Sequence, residues 1–213
     1  HTYPSTAYQR NFGLQKIKEN QLVMFMDDDV IFFEETFDKM NECIKKYIND
    51  DKISGFGFNQ VDDNKIGLFE IIKKFSIISL LGIYPSKPGQ VSKSGWHSKI
   101  LNLKDDILAE WVFTTICIYK RKDIIDYKFD ETFGMYSYLE DLDFSLNLKK
   151  RNKKIFLSSK SIFKHPKNID RSNFNFGVVE IINRYKIVKK HKLSKILFFI
   201  TIIMRFLISF IKS

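Results

Sequence analysis

The chain has 213 residues, 44% of them hydrophobic, which is enough apolar material for one domain with a sizeable core. Its net charge of +10 would suit a nucleic-acid binder if evenly spread, but residues 1–148 hold 18 Lys and Arg against 23 Asp and Glu, whereas residues 149–213 hold 17 against 2. A basic excess confined to the last third points to an anionic surface, and an apolar tail beside it selects membrane over nucleic acid.

In chain order, Arg10-Asn11-Phe12-Gly13 reads as if a structure were already under way, and His1 follows no Met or signal-like segment, so an upstream part is expected. The apolar run Leu22–Met26 predicts a buried strand. Glu34–Tyr47 predicts a helix with Phe37, Met40, Ile44 and Tyr47 on one face, and Lys52–Val61 a second strand with a tight spot around Gly55 and Gly57. Leu68–Ile83 carries Leu68, Ile71, Ile72, Phe75 and Ile78 at helical spacing, as a core helix or a membrane-facing surface. Tyr84–Trp96, with Pro85, Pro88, Gly89 and Gly95, is a loop, and Trp111–Tyr119 a strand.

Leu139–Lys150 then reads as a helix, followed by short strands at Lys154–Leu157 and Ser161–Lys164. Phe174, Val178, Ile181, Ile182, Tyr185 and Val188 form one apolar stripe on a basic helix. Strands and helices interleave, so the class is α/β. Cys43 and Cys117 lie in apolar segments without metal-ligand spacing, as buried reduced thiols of a cytosol-facing protein would.

Ile196–Ile211 carries a single charge, Arg205, behind Arg184, Lys186, Lys189, Lys190, Lys192 and Lys195. Basic residues beside an apolar helix are the pattern expected at the cytoplasmic leaflet. A spanning helix needs about 20 apolar residues, and a central Arg costs about 2.5–3.5 kcal/mol. An in-plane or shallowly inserted helix is therefore preferred to a full span, and Arg205 also counts against a buried core helix. The expected organisation is an α/β domain over 1–170, a basic amphipathic helix over 171–192 and a membrane-associated apolar helix over 193–213.

Two acidic clusters carry the candidate chemistry. Asp27, Asp28 and Asp29 stand directly after the first strand, as a solvated acidic turn or as oxygen ligands for Mg or Mn beside a phosphate-bearing substrate. In the second, Ser137 and Glu140 have the spacing of a capping box, which explains Glu140 structurally. Asp141 has no such duty and is a candidate general base at the helix's N-terminal mouth, whereas Asp143 is expected to be solvated or salt-bridged. His165, at a strand end before Pro166, is either structural or a metal ligand.

"QRNFGL" (9–14), "DDDV" (27–30), "EWVFTTICIYKR" (110–121), "FDETFGMYSYLEDLDFSLNLKKRNKKIF" (129–156) and His165, in that order, resemble a family 2 glycosyltransferase. "NRYKIVKKH" (183–191) is similar to the tail of bacterial members that work at the membrane. The resemblance implies an inverting enzyme of GT-A fold, a Rossmann-like mixed sheet, here without its first strand–helix–strand. It implies that Asp27 and Asp29 hold a divalent metal at the diphosphate of a nucleotide-diphospho-sugar donor, with His165 as a further ligand and Asp28 in supporting contacts to the donor. It further implies that Arg10 and Asn11 lie near the nucleotide, that Asp141 takes the proton from the acceptor hydroxyl, and that Trp111 and Glu140 lie on the acceptor side. Thr114 and Thr115 stand where many members have Gly near the acceptor.

The expectation is a metal-dependent (Mn or Mg) sugar transferase at the cytoplasmic face of the membrane. It would act on a saccharide or polyprenyl-linked acceptor in surface-polysaccharide synthesis, with an anionic membrane surface and no nucleic acid as partner. The rivals are a GT-A-like nucleotidyltransferase, which would need a Gly-rich phosphate loop, and a non-catalytic basic protein that binds membrane or nucleic acid.

Overall fold

The computed structural model describes residues 5–62, 77–134, 137–166 and 174–212. Two compact units divide the chain, His1–Asp63 with Ile100–Arg171, and Asn64–Lys99 with Ser172–Ser213. The elements are α1 (Thr6–Leu14), β1 (Leu22–Met26), β2 (Ile31–Phe32), α2 (Thr36–Tyr47), β3 (Ile53–Gln60), α3 (Ile77–Leu80), β4 (Ile107–Ala109), β5 (Ile116–Lys120), α4 (Arg121–Ile124), a 3-10 turn (Glu131–Phe133), α5 (Glu140–Lys150), β6 (Lys154–Lys164), α6 (Phe174–Lys190) and α7 (Lys195–Lys212). Helices and strands mix as the interleaved pattern requires.

The first unit is built on a mixed sheet in the order β1-β5-β3-β6-β2, with β4 also paired to β6. Only β3 and β6 run parallel; the other pairings are antiparallel. Met40 of α2 packs with Ile53, Phe56, Phe58, Ile116, Ile118, Phe156 and Phe163 from the strands, so the face predicted for α2 is the one that meets the core. The tight spot in β3 is real. A Cβ on Gly55 would stand 2.9 Å from the Ile118 carbonyl oxygen, and one on Gly57 2.3 Å from Leu157. Side chains there would force the strands apart.

Several expectations are corrected. β1 forms at the predicted residues but is an edge strand, and of its five residues only Val23 is buried. An apolar run does not tell a central strand from an edge one, and Leu22, Met24 and Met26, alternate residues on one face of β1, are exposed. The strand expected over 111–119 begins only at Ile116, while Trp111 and Val112 are buried in the segment leading to it. The two short strands expected after α5 are the halves of one strand, β6. Its register against β3 breaks between Leu157 and Ile162, where Asn59 donates to the Ser159 carbonyl. Of the apolar stretch 68–83, residues 68–76 lie outside the described residues; α3 is helical, and Leu80 at its end and Leu81 after it are exposed.

β1 and β2 lie at opposite ends of the strand order, yet only residues 27–30 separate them. Four flat strand spacings measure about 19 Å, whereas the five steps from Met26 to Ile31 reach at most about 18 Å. The sheet meets that limit by curling. The three aspartates are the crossing between its edges.

The second unit is held by a small core of Trp96, Val188 and Phe198, with Tyr84, Tyr185, Leu193 and Ile202 around it. The stripe read on α6 is divided: Tyr185 and Val188 pack in this core, and the rest of it is exposed. Asn183, Arg184, Ile187 and Val188 are the buried residues of α6, and Phe174, Val178, Ile181 and Ile182 are exposed. Arg184 turns inward because partners are waiting there. It pairs with Glu180 at 2.8 Å, donates to the Gly95 carbonyl at 2.7 Å, and stands 4.6 Å from the centre of the Trp96 ring. Arg205 joins the same group, 3.7 Å from Glu180 and 5.5 Å from the Trp96 ring centre. Among the described residues no helix is long and apolar enough to cross a membrane.

His97 sits in this cationic group, its Nδ1 3.4 Å from Arg184. Removal from water, then the charges of Arg184 and Arg205, hold its imidazole well below the usual histidine range. The unfolded chain therefore takes up the proton first, and stability is complete above the ordinary value of about 6.5 and falls as pH drops through it. Unfolding followed by helix signal is expected to become easier between pH 7.5 and 5.5, by at most about 1.4 kcal/mol per pH unit from this group. In His97→Gln that part of the pH dependence should disappear; an unchanged profile would exclude His97 as its source.

Candidate metal and acid–base site

The site is built where the strand ends meet. β1 runs antiparallel to β5, and the N–H of Asp27 continues the ladder to the Thr115 carbonyl at 2.8 Å. β2 pairs with the end of β6, with Ile31 opposite Lys164, so Asp29 arrives beside His165. His165 Nε2 lies 3.0 Å from Asp29 Oδ1 and 3.9 Å from Asp27 Oδ2. Ligand atoms of Asp27, Asp29 and His165 all fall within 4.8 Å of one another, and each residue is partly exposed.

Two carboxylate oxygens and an imidazole nitrogen are a donor set for Mn or a similar divalent ion. Bonds of about 2.0–2.6 Å to one ion span such a separation after small side-chain rotations. At 3.0 Å the imidazole and the Asp29 carboxylate are also in direct contact as a histidine–carboxylate pair. Asp28 is exposed and stands outside the group.

α1 carries the connection to the second cluster. Ser5 caps it by accepting the Tyr8 N–H, and Arg10 projects one turn on. The Arg10 guanidinium is ion-paired with Glu140, lies 3.9 Å from Asp27, and stands 5.5 Å from the Phe129 ring centre. Phe129 stacks on Phe144 of α5 at 4.2 Å between ring centres, which fixes the platform under Arg10. One cation thus joins the end of β1 to the start of α5. Cys117 of β5 lies close enough to feel both clusters. Burial pushes its thiol up, Arg10 opposes, and Asp141 and Asp27 push it further up.

The capping-box reading is overturned. The residue before α5 is Leu139 in left-handed conformation (φ 72°) with no side-chain cap, and the Ser137 hydroxyl accepts from the Ala7 N–H and donates to the Gly134 carbonyl. Glu140 is 3% exposed; one of its oxygens takes Arg10, while Oε2 is buried with no hydrogen-bond partner among the described residues. Asp143, expected to be solvated or salt-bridged, is fully buried, which rules out the solvated alternative. Asp141 is partly exposed and accepts the Leu142 N–H at 2.7 Å. A left-handed leucine costs about 1–3 kcal/mol, and such strain collects at sites whose geometry is over-determined. Ser137, at φ 51°, shares it.

Asn11 has its amide taken up elsewhere. It accepts the Phe129 N–H and donates to the Phe129 carbonyl and to Glu131, bracing α1 against the 3-10 turn. Trp111 is buried, ring edge on Phe113 at 6.2 Å. So Arg10, Asp27, Asp29, His165, Glu140 and Asp141 belong to one neighbourhood, and Asn11 and Trp111 serve its scaffold. Phe129, the platform, went unweighed in the sequence; its signal is an aromatic at the head of a segment that ends in two carboxylates. No protein-family model matches the chain, and no curated protein matches it.

Replacing Arg10 leaves a buried carboxylate unpaired. Arg10→Met is expected to destabilise the first unit by about 3–5 kcal/mol in urea unfolding, and Glu140→Gln added to it should recover part of that loss. If Arg10→Met unfolds like the wild type, the pair is not structural.

Proposed function

We propose that this chain is an inverting, metal-dependent sugar transferase of GT-A type, taking its donor from a nucleotide-diphospho-sugar and acting on a lipid-linked saccharide at the cytoplasmic face of a membrane. The reading rests on one observation. Three ligand atoms within 4.8 Å stand beside a second carboxylate cluster, and Arg10 links the two.

Asp27, Asp29 and His165 would hold a divalent ion, which when bound supplies positive charge where a diphosphate leaves. Arg10 adds fixed positive charge beside Asp27 and keeps Glu140 in place. Asp141, at the first turn of α5, takes the proton of the acceptor hydroxyl as its oxygen forms the new bond to the sugar carbon, and the nucleoside diphosphate departs with the electron pair of the bond that breaks. Glu140, buried and paired, is a positioning residue on this scheme.

Calorimetry with Mn and UDP tests the anchor. The wild type should bind UDP with Mn and lose that binding in Asp29→Ala, with the fold intact because the residue lies partly exposed after a strand. Mn-dependent UDP binding that survives in Asp29→Ala would sink the assignment.

The base has its own test. Asp141→Asn keeps the shape and removes the proton acceptor, so turnover should fall about 10²–10⁴-fold while UDP affinity is unchanged. Transfer at close to the wild-type rate would give the role to another carboxylate.

A further inference from the structure

α7 exposes Ile196, Phe199, Ile200, Ile203, Phe206 and Leu207, which recur on one side at helical spacing. Its other side carries Phe198 and Thr201, both buried, and Arg205 one turn further on. The single charge of the apolar segment is therefore on the side of α7 opposite the stripe, exposed but within reach of Glu180 and the Trp96 ring, and the stripe from Ile196 to Leu207 carries no charge. On α6 the split is the same. Glu180, Arg184, Ile187 and Val188 are on the side that packs, while Val178, Ile181 and Ile182 are exposed. Lys189, Lys190, Lys192 and Lys195, at the turn between the two helices, are all exposed.

We propose that α6 and α7 together form a docking surface that lies in the plane of an anionic bilayer, with the apolar stripes in the acyl boundary and the lysine turn among the headgroups. This deepens the membrane part of the reading above and is independent of its chemistry. The occupant follows from charge and shape. A second copy would set one lysine turn against another, and a nucleic acid would leave the apolar stripes in water. An anionic lipid surface satisfies both features at once. The geometry also explains why the surface lies on the membrane: Arg205 and Glu180 are committed to each other and to Trp96 on the side away from the stripe.

Co-sedimentation of the full chain with phosphatidylcholine vesicles, with and without phosphatidylserine, is the test. Binding should require phosphatidylserine and weaken about tenfold or more at high salt. Ile203→Ser with Phe206→Ser, both on the exposed side, should keep the helix signal and weaken binding about tenfold or more. Lys189→Gln with Lys192→Gln should remove much of the salt dependence. Equal binding to neutral vesicles, full binding by the double serine variant, or self-association without vesicle binding would each overturn the proposal. Mn-dependent UDP binding on the same samples stays unchanged throughout, so a failure here is distinct from a failure of the catalytic reading.

Discussion

The first unit depends on one guanidinium. Arg10 stands between Asp27 at the end of a strand and Glu140 at the start of a helix, with an aromatic ring beneath it. Without a cation there, two carboxylate clusters would face each other across a half-buried space, and Glu140 would carry its charge unpaired in the interior. Everything that brings Arg10 to its place is also structural. Ser5 starts its helix, Asn11 ties that helix to residues 129–131, and Ser137 holds the Ala7 N–H. The chemistry and the scaffold share their parts.

The second determinant is the crossing at residues 27–30. A short connection between opposite edges of a sheet leaves no slack, so the side chains on it are presented at fixed positions over the ends of β5 and β6. Adjacent carboxylates repel, and here Arg10 offsets the repulsion on the Asp27 side while His165 lies against Asp29. The arrangement is preorganised for positive charge, because the cost of gathering the aspartates is met by covalent connection and sheet curl.

Much of this was legible in the sequence where the signal is local. The limits of β1, the core face of α2, the crowded glycines of β3 and the existence of α5 all follow from periodicity and residue size within a dozen positions. What was not legible depends on distant partners. Ser137 and Glu140 have a cap's spacing, but the hydroxyl is used by Ala7 and the carboxylate by Arg10, each 130 positions away. The burial of Arg184 was not legible because an arginine on a helix is ordinarily solvated, and nothing local announces that Gly95 and Trp96 will receive it. The order of strands, and hence which apolar run is an edge, is a property of pairing rather than of any one segment. The Asp27, Asp29 and His165 group lies between the two cases: each residue type was visible, and the curl that joins them was not.

The edge position of β1 gives the three aspartates a further role. Leu22, Met24 and Met26 stand exposed on a strand that, among the described residues, is paired on one side only, and β1 holds no charge, no proline and no glycine to discourage another chain from adding to it. Such a segment is a template for intermolecular pairing, and natural sequences guard one with charged residues at its flank. Asp27, Asp28 and Asp29 put charges of that kind at the exit of β1. A chain extending along β1 would have to bring its own backbone past three carboxylates at the exit of the strand. A change that neutralised these aspartates would remove the charges that flank the strand's exit.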